Sequence, residues 1–353
     1  MLAEQFPDHR IEIIDIWRLI KQKKSAMVIN FLHFVKRYWS DILFKRMNPK
    51  AAFLRTEYLF NYVKELALQK SEQSGKIAFT FQLQSIFDTS VPGIPNFIYT
   101  DHTHLANLRY SQSGRVALYS AEWISLEKSI YENASMIFTR STNISKSLVE
   151  QYGIAIGKVK CVYAGMNIPA QKNAAQGKDY KNQVVLFVGQ DWKRKGGPSL
   201  LEAFHQIAPR YPNALLKIVG CEPKIDYPQI QVMGKIPLAD LGGQFETASV
   251  FCMPSVNEPF GAVFVEAMAY ELPIVATAIG AIPDIVKEGW NGYLVAPGDV
   301  AGLAIALEKL LSNPELCSRL GKNGKSLVDR DYNWTAVGEK IKKNIRQYLK
   351  EQS

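Results

Sequence analysis

The sequence predicts an α/β protein made of two domains with parallel sheets. Its 353 residues are 47% hydrophobic, enough to fill two cores. Apolar, β-branched runs that end in glycine or a polar tip alternate along the chain with amphipathic stretches at helical spacing, the pattern of strand–helix–strand units. No internal repeat or low-complexity tract interrupts that alternation.

Near the N-terminus, residues 10–16 read as a strand. Residues 27–44 read as a helix, with Val28, Phe31, Leu32, Val35, Tyr38, Trp39 and Ile42 at helical spacing. From Arg18 to Arg55 there are ten Lys or Arg (18, 21, 23, 24, 36, 37, 45, 46, 50 and 55) against the single Asp41, so this window alone carries +9, the formal net charge of the whole chain. A basic, aromatic-rich helix suits docking on an anionic bilayer surface. A stripe packed on its own sheet with a solvated basic face has the same pattern. No nucleic-acid-binding motif accompanies the charge, so no nucleic-acid partner is expected.

Residues 97–103 form an apolar strand running into a titratable tip, with Asp101, His102 and His104 as candidate polar groups. Residues 137–141 read as a further strand, and 159–167, with Gly165 and Asn167, as the link to the second half. There, 184–189 is a β-branched strand ending in Gly189. The basic turn Lys193, Arg194, Lys195, Gly196 and a helix over 198–208 follow. Cations held between glycines at a strand's carboxyl end suit an anion, although a solvated basic turn has the same composition. Residues 215–220 read as the next strand, and 230–236 as another with Gly234, Lys235 and Ile236 at its end.

Residues 250–253 read as a buried strand, 254–259 as a polar loop, and Phe260, Gly261 and Ala262 as the opening of a helix reaching about residue 270. Gly261 allows close approach of a ligand to the free N–H groups of the helix start. Glu266 lies among Val263, Phe264, Val265, Ala267, Met268 and Ala269, where a charge is rarely tolerated without a partner; a ligand hydroxyl supplies one. Glu258 approaches the same ligand from the loop.

These residues carry a resemblance. The pair Glu258 and Glu266 in a strand–loop–helix setting resembles the Glu-x7-Glu motif of the retaining family 4 glycosyltransferases, and the likeness runs from about residue 95 to 334. It implies the GT-B fold: two Rossmann-like, doubly wound parallel-sheet domains facing across a cleft. The expected domains are 1–168 on the acceptor side and 169–334 for the nucleotide sugar, with a C-terminal helix, 335–353, returning to the first. By the same resemblance Glu266 holds the nucleotide ribose and Glu258 contacts the transferred sugar. Lys195 and Arg194, with Gly189 and Gly196, seat the diphosphate, Lys235 and Ile236 line the base, and His102 faces the acceptor and donor sugar. Gln190 stands where the family usually has arginine, and Arg194 supplies the second cation in an aromatic-x-Arg-Lys-Gly form.

The resemblance further implies a UDP- or GDP-type donor sugar, a glycan or lipid-linked acceptor, no cofactor and no metal. The single Asp-x-Asp, Asp329 to Asp331, lies far from these motifs. The family's first strand and its glycine-rich loop are not found, since the first glycine is Gly75. That departure keeps open a non-catalytic partner subunit that binds nucleotide sugar; a GT-B-type sugar-nucleotide 2-epimerase is a further alternative. Four widely spaced cysteines, no signal-peptide pattern and no apolar run of membrane-spanning length predict a cytoplasmic protein, peripheral on the membrane if the basic helix docks there.

Overall fold

The computed structural model describes residues 1–44, 48–110, 118–166 and 178–352. Lys45, Arg46, Asn167 and the expected boundary at 168/169 lie outside the described residues. The chain forms two compact units, one holding residues up to 109, 118–162 and those from 340 on, the other holding Tyr110 and residues 163–339.

In the first unit a four-stranded, all-parallel sheet runs in chain order: β1 (Thr80–Leu83), β2 (Asn96–Thr100), β3 (Met136–Thr139) and β4 (Val159–Cys161). β2 and β3 occupy two of the apolar runs read as strands and are buried along their whole length. Ile98 and Ile137 pack with Leu59, Val63, Trp123 and Ile130 from the flanking helices. Phe97 meets Tyr348 of the terminal helix Trp334–Gln352 edge to face, ring centroids 5.6 Å apart. Strand order steps one way throughout the described part of this sheet, so the doubly wound reversal expected here is not seen.

The expected strand at 10–16 is a second difference. Residues 10–15 have no regular structure and Ile16 opens a helix, Ile16–Gln22. The β-branched, isoleucine-rich composition suits a strand, but Asp15 instead caps the helix, accepting from the Arg18 N–H at 3.1 Å. No strand pairs with this segment among the described residues, and Ile13 stays 89% exposed.

The second unit carries a six-stranded parallel sheet of β5 (Val184–Val188), β6 (Leu215–Val219), β7 (Ile230–Gly234), β8 (Val250–Met253), β9 (Ile274–Thr277) and β10 (Gly292–Val295). The strand order is β10-β9-β8-β5-β6-β7. From β5 the chain steps outward through β6 and β7, then crosses to the other side of β5 and steps outward through β9 and β10. The order therefore reverses between β5 and β8, and the loops leaving the carboxyl ends of those two strands diverge there. Open α/β sheets bind ligands at such a point. Val185, Leu186, Phe187, Phe251 and Cys252 are fully buried, as the continuous apolar runs of a sheet covered on both faces require.

Candidate functional site

The loop after β5 is wound tightly. Gly189 donates to Val219 O at 2.9 Å, the Arg194 N–H donates to Asp191 Oδ1 at 3.1 Å, and the Lys195 and Gly197 N–H groups close onto Asp191 O and Trp192 O at 2.9 and 2.8 Å. Gly196 sits in the left-handed region, φ 77°, and a Cβ there would stand 1.8 Å from Pro254 O. Only glycine lets the basic turn lie against the loop after β8. The helix Gly197–Ile207 follows.

That second loop is braced from both sides. Val256 N–H donates to Arg194 O at 2.9 Å, and the Arg194 guanidinium donates to Asn257 O at 3.0 Å while facing the Asp191 carboxylate at 3.6 Å. From the β9 side Thr277 donates its hydroxyl to Ser255 O, and Gly280 passes so close that a Cβ would meet Glu258 O at 2.1 Å. Gly261, φ 80°, then opens the helix Ala262–Ala269; a Cβ at Gly261 would run into the Phe264 ring at 2.6 Å.

Two predicted residues meet here: the Lys195 ammonium is ion-paired with the Glu258 carboxylate, both side chains largely buried. Ser255 donates to the same carboxylate oxygen at 3.4 Å. Glu266 stands differently. It is 9% exposed on the 262–269 helix and has no hydrogen bond or ion pair among the described residues, and burial raises its carboxyl above the usual range. A buried carboxylate without a partner is costly in a finished core. Phe260 is buried at the head of the same helix, and Ala262 is half-buried. Lys235 is exposed and Ile236 half-buried just past the end of β7, on the same carboxyl edge but two strands from β5. Sequence reasoning missed Ser255, Asn257 and Thr277, small polar residues whose roles arise from packing between loops.

His102 belongs to the first unit. Its ring Nε2 lies 3.5 Å from the Asn107 amide, and burial, with Arg55 adding to it, holds the imidazole below its usual range against the pull of Asp101. Asp101 pairs with Arg140 at 3.3 Å. His104 is structural: it is buried, its Nε2 accepts from the Tyr119 N–H at 2.8 Å, and desolvation pushes its pKa down to about 3. Asp329 pairs with Lys325 at 2.6 Å, on the helix Pro314–Asp331.

The strand tip at 100–104 is anchored by Glu127. Its carboxylate accepts from the His104 N–H at 3.0 Å, from Tyr131 OH at 3.1 Å and from Tyr152 OH. Burial nevertheless pushes its pKa up to about 7. Folded Glu127 thus holds its proton better than the unfolded chain does, so its contribution to stability is full below about pH 4.5 and is lost as pH rises through 7. The depressed His102 and His104 have the opposite sign, favouring the fold above pH 6.5 and losing that contribution as pH falls. The difference between parent and Glu127→Gln isolates the carboxyl. Urea melts from pH 5 to 8 are expected to show the parent losing stability relative to the variant as pH rises; parallel curves would disprove the coupling.

Residues 170–327 match the family model described as "Glycosyl transferases group 1". Over 189 residues the chain is 33% identical to the phosphatidyl-myo-inositol mannosyltransferase of Mycobacterium leprae, an alignment covering 50% of each protein. The chain spans about half the length of the curated relatives it matches. Among solved structures, sucrose-phosphate synthase from Thermosynechococcus elongatus superposes with a TM-score of 0.65 at 22% identity, over 84% of this chain and 80% of that one. The Anabaena protein HepE in complex with UDP-glucose gives 0.57 at 19% identity, over 72% of each. At that identity the likeness speaks for the fold, which is GT-B.

Proposed function

Since residues 170–327 carry the group 1 glycosyltransferase domain within a GT-B chain, we propose that this protein is a retaining glycosyltransferase. It moves a hexosyl unit from a nucleotide-diphosphate sugar, of the UDP or GDP type, to a glycan or lipid-linked acceptor. The observation that carries the reading is Glu266, a largely buried side chain with no hydrogen bond or ion pair among the described residues, on the helix that starts at the reversal of the sheet. Ribose hydroxyls are the partners that would satisfy it.

In this reading the diphosphate settles against Lys195, Arg194 and the free N–H groups following Gly261. Lys195 turns from Glu258 to the phosphate, which frees Glu258 for the sugar. The bond from the anomeric carbon to the phosphate oxygen breaks and the acceptor oxygen bonds to the same face of that carbon. The acceptor proton passes to the departing phosphate. Charge on the leaving group is met by groups already in place, the form of catalysis that usually contributes most. His102, kept neutral by burial, serves the acceptor side. The relatives include an enzyme named for a phosphatidylinositol acceptor and one named for capsular polysaccharide synthesis, in keeping with a lipid-linked or glycan acceptor reached at the cytoplasmic face of a membrane.

Two cations at the diphosphate seat make a metal unnecessary. Turnover is expected to persist in excess EDTA; loss of activity restored by magnesium or manganese would contradict this. The reading itself is tested by a thermal-shift panel of nucleotides and nucleotide sugars, since a ligand at a hundred times its Kd stabilises by about 2.7 kcal/mol.

A further inference from the structure

The helix Lys24–Leu43 is packed inside out. It rests on the first unit by a narrow seam of Ala26, Asn30, Phe34 and Tyr38, one residue per turn. Much of that seam is polar: Asn30 donates to Phe53 O at 2.9 Å and accepts from the Thr56 hydroxyl, and Tyr38 donates to Arg55 O at 2.7 Å. The large apolar residues point the other way. Val28, Phe31, Leu32, Val35 and Trp39 recur every three or four residues along the opposite side, and Phe31, Leu32 and Trp39 are 53, 63 and 59% exposed. Leu43 and Phe44 extend the stripe at its end.

Scattered surface hydrophobics need no explanation, but a continuous row over about four turns marks a surface that is covered in use. Its flanks say by what. Exposed Lys21, Lys23 and Lys24 precede the stripe and exposed Lys36 borders it, while Asp41 is the one acidic residue on the helix. A second copy would set these lysines against each other. No described helix is long and apolar enough to cross a membrane, so this one, about 30 Å long, would lie in the plane of the interface.

We propose that this face seats the protein on an anionic bilayer, with Phe31, Leu32, Val35 and Trp39 entering the boundary between headgroups and acyl chains and the flanking lysines meeting the phosphates. The inference rests on the membrane-side placement proposed above but not on the donor chemistry, so vesicle binding and nucleotide binding can fail separately. Charge steers the approach and the apolar stripe holds the protein in place.

The test is co-sedimentation of the full chain with vesicles of phosphatidylglycerol and phosphatidylcholine, or of phosphatidylcholine alone, at low and high salt. The parent is expected to bind the anionic vesicles and to keep part of that binding at high salt. Changing Phe31, Leu32 and Trp39 together to Ser should weaken binding roughly tenfold or more at either salt without lowering Tm, because these side chains are exposed. Changing Lys21, Lys23, Lys24 and Lys36 to Gln should remove the preference for anionic lipid; Arg37 is left in place because it pairs with Glu122 at 2.5 Å. Parent-like binding by the Ser variant would overturn the proposal. So would a parent that ignores vesicles but forms a dimer which the Ser variant loses.

Discussion

Lys195→Ala is expected to lower turnover by about two to three orders of magnitude, the usual effect of deleting one group that meets developing negative charge. The same substitution leaves Glu258 buried without its cation, and removing one partner of a buried pair is itself destabilising by about 3–5 kcal/mol. Loss of activity alone would therefore be ambiguous. Lys195→Met combined with Glu258→Gln removes both charges, so Tm should return close to the parent while nucleotide-diphosphate binding stays weak, a readout that Glu258→Gln alone should leave intact. If the double variant recovers binding as well as Tm, Lys195 is part of the scaffold and not of the diphosphate seat. Arg194→Ala gives a cleaner comparison, because that side chain is 40% exposed, its partner Asp191 is solvated and only one further hydrogen bond, to Asn257 O, is given up. It should weaken nucleotide-diphosphate binding with little change in Tm.

The second large effect concerns the glutamates. Glu266→Gln is expected to weaken nucleotide binding roughly ten- to a hundredfold, the range for a hydrogen bond to a charged group. It should also raise Tm at pH 7. Burial raises the Glu266 pKa, so the folded state disfavours the charged form, and the contribution of that carboxyl to stability is lost as pH climbs through its folded pKa. Glutamine removes that loss, and the gain should shrink as pH falls and vanish well below 4.5, where the glutamate is protonated in both states. A side chain whose neutralisation stabilises the fold while weakening a ligand is held for the ligand. Glu258→Gln should leave nucleotide affinity largely intact and damage the transfer step. Titration calorimetry of both variants against the nucleotide separates the roles; equal losses would join them.

Much of this site was legible in the sequence because the signals were local. The strand at Val250–Met253, its loop and the helix Ala262–Ala269 follow from one apolar run, one polar stretch and one glycine, and the buried position of Glu266 follows from its apolar neighbours. The Lys195–Glu258 pair was not legible. The two lie 63 residues apart, and only the reversal between β5 and β8 brings their loops together. At the N-terminus the local signals misled. The isoleucine-rich run of 10–16 has the composition of a strand, while β1, Thr80–Leu83, is three half-buried residues and the exposed Leu83 with no strong pattern of its own. In the helix Lys24–Leu43 both sides carry apolar residues, so periodicity found the helix but could not say which side turns inward; Asn30 and its bonds to Phe53 and Thr56 decide it.

The central claim is that the reversal of the second sheet holds a nucleotide-diphosphate sugar through Glu266. The most direct test is thermal shift of the parent and of Glu266→Gln against UDP, GDP and their hexosyl derivatives at millimolar concentration. One base series should stabilise the parent by several degrees and the variant by much less. A parent that none of these compounds stabilises, or a variant that responds as the parent does, would contradict it.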